Sequence, residues 1–426
     1  MTYATLSEKK PRFTLLENNH RIINLIIHGQ GVFIFENKDN TKSCCFELYD
    51  KDNALGLKVE YTEDSVKVNK IPSNDPLIDN DNNKGLVNKN GAYYWFSIDS
   101  ENQKLQAGVG EPRIENVIYN YQFPKSDKKI WEENKEFLES LVTVSASQEE
   151  INPLKLLKDP ITRSVPLIIK NTDELTMNHI AKNNYLPKSH LSLIAQQLYD
   201  CISGKNFVLN DDDFPEFSQA IEYSIATPGL WCYERLKDKS NEFNKDVPNI
   251  METYLRITLN DNNGESPGIP YVMEIWPVGH YSPIHNHGGS SAIIRVLNGK
   301  INVKLYPFLC YDDKDGVDAF KEVQISENDI TWLSPSLNQV HQLHNPENNT
   351  ETCITIQCYM YETDDKEHYD YFDYIDYKGK KQNYEPDSDM DFVLFKETMK
   401  QEWEARKNTV KISTIFGNFF SCGKNK

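Results

Sequence analysis

The chain has 426 residues, a formal net charge of -18 and 38% hydrophobic residues, enough apolar material for two or three folded cores. Its acidic balance disfavours nucleic acid and anionic membranes as partners, because both attract basic surfaces. The start of the chain lacks a signal-peptide pattern, and no apolar run approaches the roughly 20 residues that span a bilayer. The eight cysteines form no C-x-x-C pair, so the sequence predicts reduced thiols in a cytoplasmic protein.

Residues 1–125 contain short segments in which apolar and polar residues alternate, separated by turns rich in Asn, Asp and Gly. Examples are "GVFIFEN", "CCFELYD" and "AYYWFSID". Strands of this length and spacing predict an N-terminal antiparallel β-sandwich, whose role the sequence does not indicate. An aromatic strand in a sandwich is more often core than ligand surface, so we expect Tyr93, Tyr94 and Trp95 to be buried.

Helical patterns follow the predicted sandwich. Residues 126–175 are predicted to form a helix and then a linker, because apolar residues at helical spacing are followed by a polar, proline-containing sequence. Ser189 can cap a further helix, "LSLIAQQLYDCI". Strand patterns resume at Tyr254. We expect the acidic stretch 362–391 to be solvated surface and residues 401–426 to be a tail.

Two histidines one residue apart occur in "GHYSPIHNHGGSS". Strand side chains alternate between faces, so His285 and His287 point the same way and can chelate one metal ion. A third ligand is available about fifty residues later in "NQVHQLHN", where His341 and His344 lie on opposite faces of one strand. The spacing favours His285, His287 and His341 as a metal triad over unrelated histidines.

These residues resemble the two cupin motifs. Gly279, His285-x-His287 and a distal Gly299 match the first motif, and Pro335 with His341 resembles the second. The glutamate of most cupins would fall at Ser291 or Ala292 and is absent, which points to cupins with a three-histidine centre. The stretches "ATPGLWCYERL", "YLRITL", "VMEIWPVGHYSPIHNHGGSS" and "VHQLHNPE" occur in the order found in the cysteine dioxygenase (thiol dioxygenase) family, over roughly residues 185–360.

The resemblance implies a fold class that is mainly β with α. We expect a C-terminal cupin barrel, or double-stranded β-helix, preceded by helices within residues 176–400, in addition to the N-terminal sandwich. It also implies Fe(II) as the cofactor, held by the three histidines. The implied reaction is the oxidation of cysteine or a similar small thiol carboxylate by O2 to the sulfinic acid.

Further site residues follow from the same resemblance. Tyr254 and Arg256 match a Tyr-x-Arg strand whose arginine binds the substrate carboxylate, so both are expected to bind the substrate, although a structural ion pair is an equal alternative for Arg256. Tyr359 matches the family's active-site tyrosine and, with Arg256, is expected to be catalytic. The Ser-x-His-x-Tyr strand of the family reads Thr355-x-Gln357-x-Tyr359 here, so Thr355 and Gln357 are expected to contact the substrate, but a glutamine cannot take up a proton as histidine does.

This chain lacks a cysteine that forms a cross-link in part of the family. Animal-type members carry a cysteine after the histidine pair that is cross-linked to the tyrosine, whereas this chain has Ala292 at that place. Two other hypotheses therefore stay open. The first is a metal-binding cupin without turnover that acts as a binding or structural protein through its N-terminal domain. The second keeps an enzyme but replaces iron with zinc, nickel or copper, because three imidazoles suit all of them.

Overall fold

The computed structural model divides the chain into two units. The first comprises Met1–Val165 and Pro307–Phe320, and the second comprises Pro166–Tyr306 and Lys321–Lys426. Within the described residues, no helix combines the length and the apolar character needed to cross a membrane. The residues whose structure is described are 13–15, 22–38, 41–78, 84–125, 127–146, 151–260, 270–361 and 371–421.

The first unit is a sandwich of two antiparallel six-stranded sheets, so the predicted β-sandwich is confirmed. Its strands are β1 (Phe13–Leu15), β2 (Ile22–Asn24), β3 (Gln30–Asn37), β4 (Ser43–Asp50), β5 (Gly56–Thr62), β6 (Val66–Ile71), β7 (Pro76–Leu77), β8 (Tyr94–Asp99), β9 (Lys104–Val109), β10 (Val117–Gln122), β11 (Leu141–Ala146) and β12 (Ile151–Leu157). One sheet has the order β1-β12-β3-β8-β9-β10, and the other has the order β2-β11-β4-β5-β6-β7.

Aromatic rings fill the core between the two sheets. Phe33 and Phe35 pack edge-on against Phe46, with ring centroids 5.1 and 5.3 Å apart. Tyr94 and Trp95 are 2% and 0% exposed, which confirms their predicted burial, whereas Tyr93 is half-buried. The sandwich therefore holds together through the alternating inward positions of its strands.

The predicted end of the sandwich at residue 125 is wrong. Helix α1 (Lys128–Ser140) forms as expected, and the Asp127 carboxylate caps it by accepting two backbone N–H groups at 2.8 and 3.1 Å. After the helix, however, β11 pairs with β2 and β4, and β12 pairs with β1 and β3. Residues 126–175 are thus not a helix and linker alone, because two strands in them complete the sandwich.

A second correction concerns Pro307–Phe320, which lies within the predicted C-terminal domain but belongs to the first unit. The backbone N–H of Glu111 donates to the carbonyl of Pro307 at 2.8 Å. Lys89 Nζ lies 2.9 Å from the carboxylate of Asp313. Nothing in the strand pattern of the sequence marks this segment as part of the sandwich.

The second unit begins with short helices. Ser192, and not the predicted Ser189, caps the third helix, because its Oγ accepts the N–H of Ala195 at 3.1 Å. The helix bounds are α2 (Met177–Lys182), α3 (Leu193–Ile202), α4 (Phe217–Ala226), α5 (Trp231–Asp238) and α6 (Phe392–Ser421).

The remaining strands form the sheets of the second unit. Their bounds are β13 (Ile168–Lys170), β14 (Leu186–Pro187), β15 (Leu255–Asn260), β16 (Tyr271–Trp276), β17 (Ser291–Asn298), β18 (Lys300–Leu305), β19 (Lys321–Ser326), β20 (Ile330–Leu333), β21 (His341–His344), β22 (Cys353–Met360), β23 (Phe372–Ile375), β24 (Lys381–Tyr384) and β25 (Met390–Asp391). The large sheet has the order β14-β13-β20-β17-β22-β16-β15-β25, and the small sheet has the order β19-β18-β21.

The barrel of the second unit is a double-stranded β-helix. Isolated bridges from Tyr281 to His344 and from His285 to His341 add residues 281–285 to the edge of the small sheet beside β21. If the barrel strands are numbered 1 to 8 along the chain from β16 to β22, with residues 281–285 as strand 2, the large sheet contains the order 6-3-8-1 and the small sheet has the order 5-4-7-2. Two facing sheets with this order form the jelly roll of cupins, so the predicted fold class is confirmed.

The C-terminal end is more ordered than the sequence indicated. Residues 401–421 are not a separate tail, because they continue helix α6, which begins at Phe392 and whose Trp403 is 6% exposed within the core. Residues 422–426 of the predicted tail lie outside the described residues. Phe395 packs on Trp231 with ring centroids 5.3 Å apart. In the predicted solvated stretch 362–391, residues 362–370 lie outside the described residues.

Candidate metal centre

The three predicted histidines come together at one point of the barrel. His285 and His341 exchange both backbone hydrogen bonds at 3.0 Å, so they sit side by side on neighbouring strands. His287 follows two residues later, and its Nε2 lies 3.0 Å from Nε2 of His341. One ring nitrogen from each residue lies within 4.8 Å of the other two, which makes the group suitable for holding a metal ion. His344 is outside the group, as strand parity predicted.

Burial keeps the three imidazoles neutral. It lowers the pKa of His285 to about 4, although a hydrogen bond to the Pro283 carbonyl acts in the opposite direction. It also lowers the pKa of His287 and His341 well below the usual value, and repulsion between neighbouring histidines adds to the effect. Neutral imidazole is the form that binds metal, so the lone pairs are available near pH 7.

Hydrogen bonds orient the rings. Nδ1 of His285 lies 3.0 Å from the carbonyl of Pro283, and a carbonyl only accepts, so Nδ1 carries the proton and Nε2 carries the lone pair. His341 bonds to the backbone of Asn338. Nδ1 of His287 is buried and has no partner among the described residues.

The facing sheet carries the predicted polar residues. Arg256, Glu274 and Thr355 are successive cross-strand partners on β15, β16 and β22. Gln357 and Tyr359 follow Thr355 at alternate positions of β22, so they share its face. The cavity between the two sheets is lined by these five residues as well as by the three histidines.

Arg256 is already engaged. Its Nη1 lies 2.9 Å from Oε1 of Glu274, and the two side chains are 9% and 6% exposed. The structure therefore contains the ion pair that the sequence left open as an alternative role of Arg256. Sequence reasoning missed Glu274, which is a single acidic residue inside the apolar strand "YVMEIW".

Tyr359 points its ring toward the histidines. Its ring is stacked on that of His287 with centroids 5.9 Å apart. Burial raises the pKa of Tyr359 far above the usual value, while the nearby Arg256 guanidinium acts in the opposite direction. The phenol therefore keeps its proton and can donate a hydrogen bond into the cavity.

Ala292 lies opposite Tyr359. The two residues are cross-strand partners on β17 and β22, and Ala292 is fully buried against Tyr359 and Leu333. Ile294 and Val296, at alternate positions of the same strand, line the cavity, so Ala292 rather than Ser291 faces inward. The inward position thus holds neither a carboxylate ligand nor a thiol.

Aromatic side chains line part of the cavity. Tyr254, a predicted substrate-binding residue, stacks on Trp276 with centroids 4.1 Å apart and is 7% exposed. Phe372 lies 4.7 Å from the ring of His287, and Tyr374 is also buried at the cavity. Phe372 and Tyr374 come from the acidic stretch that we expected to be solvated. The signal in the sequence was the presence of five Tyr and Phe residues between positions 369 and 377.

Some solved protein structures are similar to part of this chain. No protein-family model matches the chain. The cupin domain of Schizosaccharomyces pombe Cnp3 is similar at 13% identity and a TM-score of 0.20, over 26% of this chain and 66% of that chain, just under two thirds of it. A cupin 2 domain-containing protein from Halorhodospira halophila is similar at 17% identity and a TM-score of 0.20, over 32% and 73%. L-ribose isomerase from Cellulomonas parahominis is similar at 13% identity and a TM-score of 0.20, over 26% and 62%. The double-stranded β-helix fold of this chain is shown by its own strand order.

Proposed function

We propose that the second unit is a non-haem Fe(II) thiol dioxygenase that adds both atoms of O2 to the sulfur of a small thiol and yields a sulfinic acid. The observation that carries the proposal is the convergence of three neutral histidines in a buried cavity whose facing sheet presents Arg256 and Tyr359. One sheet supplies the metal ligands and the other supplies the groups for a substrate. This division suits a reaction in which a small molecule is held against a metal.

The three histidines would hold the metal. One ring nitrogen from each lies within 4.8 Å of the other two, and Nε2 of His287 lies 3.0 Å from Nε2 of His341. Iron held by three neutral imidazoles would supply a redox-active Lewis acid with open positions for small ligands.

The chain's own residues orient the substrate and keep one proton in place. Tyr359 holds its proton on the phenol oxygen because burial raises its pKa, so it would donate a hydrogen bond to a sulfur or oxygen atom in the cavity. Thr355 and Gln357 lie beside it on β22 and add polar contacts. Aromatic rings such as Tyr254 would exclude water from the reacting atoms.

The Arg256–Glu274 ion pair favours a second candidate, a cupin that binds metal without turnover. A guanidinium that already holds a carboxylate has fewer donors for a substrate. In that case the protein would act by binding, through its N-terminal sandwich.

Oxygen uptake separates the two candidates. The full-length protein is loaded anaerobically with ferrous iron and mixed with cysteine, 3-mercaptopropionate or cysteamine in air-saturated buffer. The proposed enzyme consumes one O2 for each sulfinic acid formed. If no thiol supports oxygen uptake by protein that retains its iron, the dioxygenase proposal is rejected. Metal analysis of the purified protein tests iron against zinc, nickel and copper.

A further inference from the structure

Glu274 is a charged residue in the cavity wall to which the resemblance assigns no role. It lies between Arg256 on β15 and Thr355 on β22, and its carboxylate is bonded to the Arg256 guanidinium at 2.9 Å. Gln357 lines the same cavity two residues further along β22 than Thr355, and its buried Nε2 has no partner among the described residues. A buried carboxylate beside a proposed substrate site favours the binding of positively charged substrates and disfavours negatively charged ones.

Glu274 competes with any substrate carboxylate for Arg256. Both groups offer oxygen acceptors to the same guanidinium fork, but Glu274 is already in place and loses no freedom on binding. A substrate carboxylate that displaced it would leave Glu274 as a buried charge without its cation. Thiols whose only charged group is a carboxylate are therefore disfavoured.

The same carboxylate attracts an amine. An ionised carboxylate has about four acceptor sites, and the hydrogen bond from Arg256 leaves room for another donor. Burial raises the pKa of Glu274 despite the opposing effect of Arg256, so further positive charge or N–H donation at this oxygen is stabilising. The neighbouring Thr355 Oγ1 is also buried at the cavity and has no partner among the described residues.

We propose that Glu274 determines the substrate class, by selecting thiols that carry an amine and rejecting thiols that carry only a carboxylate. Its carboxylate accepts N–H groups of the substrate amine, and Arg256 keeps the carboxylate in position. This inference rests on the proposed function, because it assumes that a thiol binds at the histidine centre.

Binding, rather than turnover, tests the inference. Cysteamine and 3-mercaptopropionate have the same two-carbon spacing between sulfur and the charged group, so they differ mainly in the sign of the charge. Full-length protein is loaded anaerobically with Co(II), and each thiol is titrated while the sulfur-to-cobalt absorption is followed. We expect the parent to bind cysteamine roughly tenfold more tightly or better, the range of one hydrogen bond to a charged group. Glu274→Gln should remove most of that preference.

Two further variants complete the experiment. Glu252→Gln removes a partly buried carboxylate that does not line the cavity, and it should keep the parent's preference. Because Glu274→Gln leaves the buried Arg256 without its carboxylate and so destabilises the fold, the double variant Arg256→Gln/Glu274→Gln removes both charges together. It should bind both thiols with similar affinity.

Two results overturn the inference: an unchanged preference for cysteamine in folded Glu274 variants, or no binding preference in the parent. Oxygen uptake is measured on the same proteins after loading with iron. Selective binding without uptake rejects the dioxygenase function but not the role of Glu274. Uptake with equal affinity for both thiols rejects the role of Glu274 alone.

Discussion

Asp389 holds the backbone of Arg256 from both sides. Its Oδ2 accepts the N–H of Arg256 at 2.7 Å, and its own N–H donates to the carbonyl of Arg256 at 2.7 Å. The same carboxylate, 1% exposed, binds Arg235 at 2.8 Å and Lys239 at 3.1 Å. It thus fixes the strand that presents Arg256 to the cavity.

Asp389→Asn is therefore expected to loosen the position of Arg256. Loss of one partner from a buried charge cluster typically costs about 3–5 kcal/mol in the free energy of unfolding. Chemical denaturation measures that loss, and thiol titration should show weaker binding while metal content is retained. Asp387→Asn, at an exposed neighbouring position, should change neither. Equal stability of the Asp389 and Asp387 variants would contradict this role.

Metal binding should depend on the histidine triad and not on its neighbour. His287→Ala removes a nitrogen that lies 3.0 Å from a second ligand nitrogen, so the bound metal should fall to a small fraction of the parent's. His344→Ala is the matched control, because it lies on the same strand as His341 but outside the group. The measurement is metal content after dialysis. Retention of metal by the His287 variant would refute the ligand assignment.

The metal-free protein should lose stability as the pH falls. The pKa of His285 is lowered to about 4 in the folded state, so the unfolded chain binds its proton first, at its ordinary value of about 6.5. The free energy of unfolding should then decrease between about pH 6.5 and pH 4, by at most about 1.4 kcal/mol per pH unit for each histidine. Urea titrations at several pH values measure the slope. His285→Gln should reduce it, and an unchanged slope would show that this histidine does not contribute.

A cysteine at position 292 tests whether this residue faces the cavity opposite Tyr359. Ala292→Cys places a thiol opposite Tyr359, within the roughly 4.5–5.5 Å between cross-strand Cβ atoms. With iron and O2 as oxidant, a thioether between the thiol sulfur and a ring carbon would form with loss of two hydrogens. Mass spectrometry of the tryptic peptides detects that loss. Ser291→Cys, on the other face of the strand, should give no such product.

Helix α6 should contribute to the stability of the second unit. Phe395 is fully buried and packs on Trp231, so Phe395→Ala should lower the free energy of unfolding by about 3–5 kcal/mol. Val393→Ala, at a position 74% exposed, should change it by less than about 0.5 kcal/mol. Thermal denaturation compares the two. Similar melting temperatures would mean that α6 does not support the second unit.

The sequence predicted those features that depend on local periodicity. His285 and His287 could be placed on one face because strands alternate, and the chelate spacing then indicated His341. Burial of the aromatic strand around Trp95 followed from the same rule.

Features that depend on long-range pairing were missed. Glu274 is one charge in an apolar strand, and only the register of β15 with β16 shows that it faces Arg256. Two serines precede α3, and the pattern does not decide which of Ser189 and Ser192 is the cap. The boundary at residue 125 was wrong because β11 and β12 return to the sandwich after an intervening helix.

The segment Pro307–Phe320 also changes how the chain can be divided. The polypeptide passes between the two units at three points, after Val165, after Tyr306 and after Phe320. A protease that cut once after Val165 would divide the chain into two pieces, and residues 1–165 would then hold Pro307–Phe320 only through non-covalent contacts such as the hydrogen bond from Glu111 to Pro307. During synthesis, the first unit remains incomplete until residue 320 has left the ribosome, although its first strand was made more than three hundred residues earlier. Synthesis of the second unit is therefore well advanced before the first unit has all of its residues.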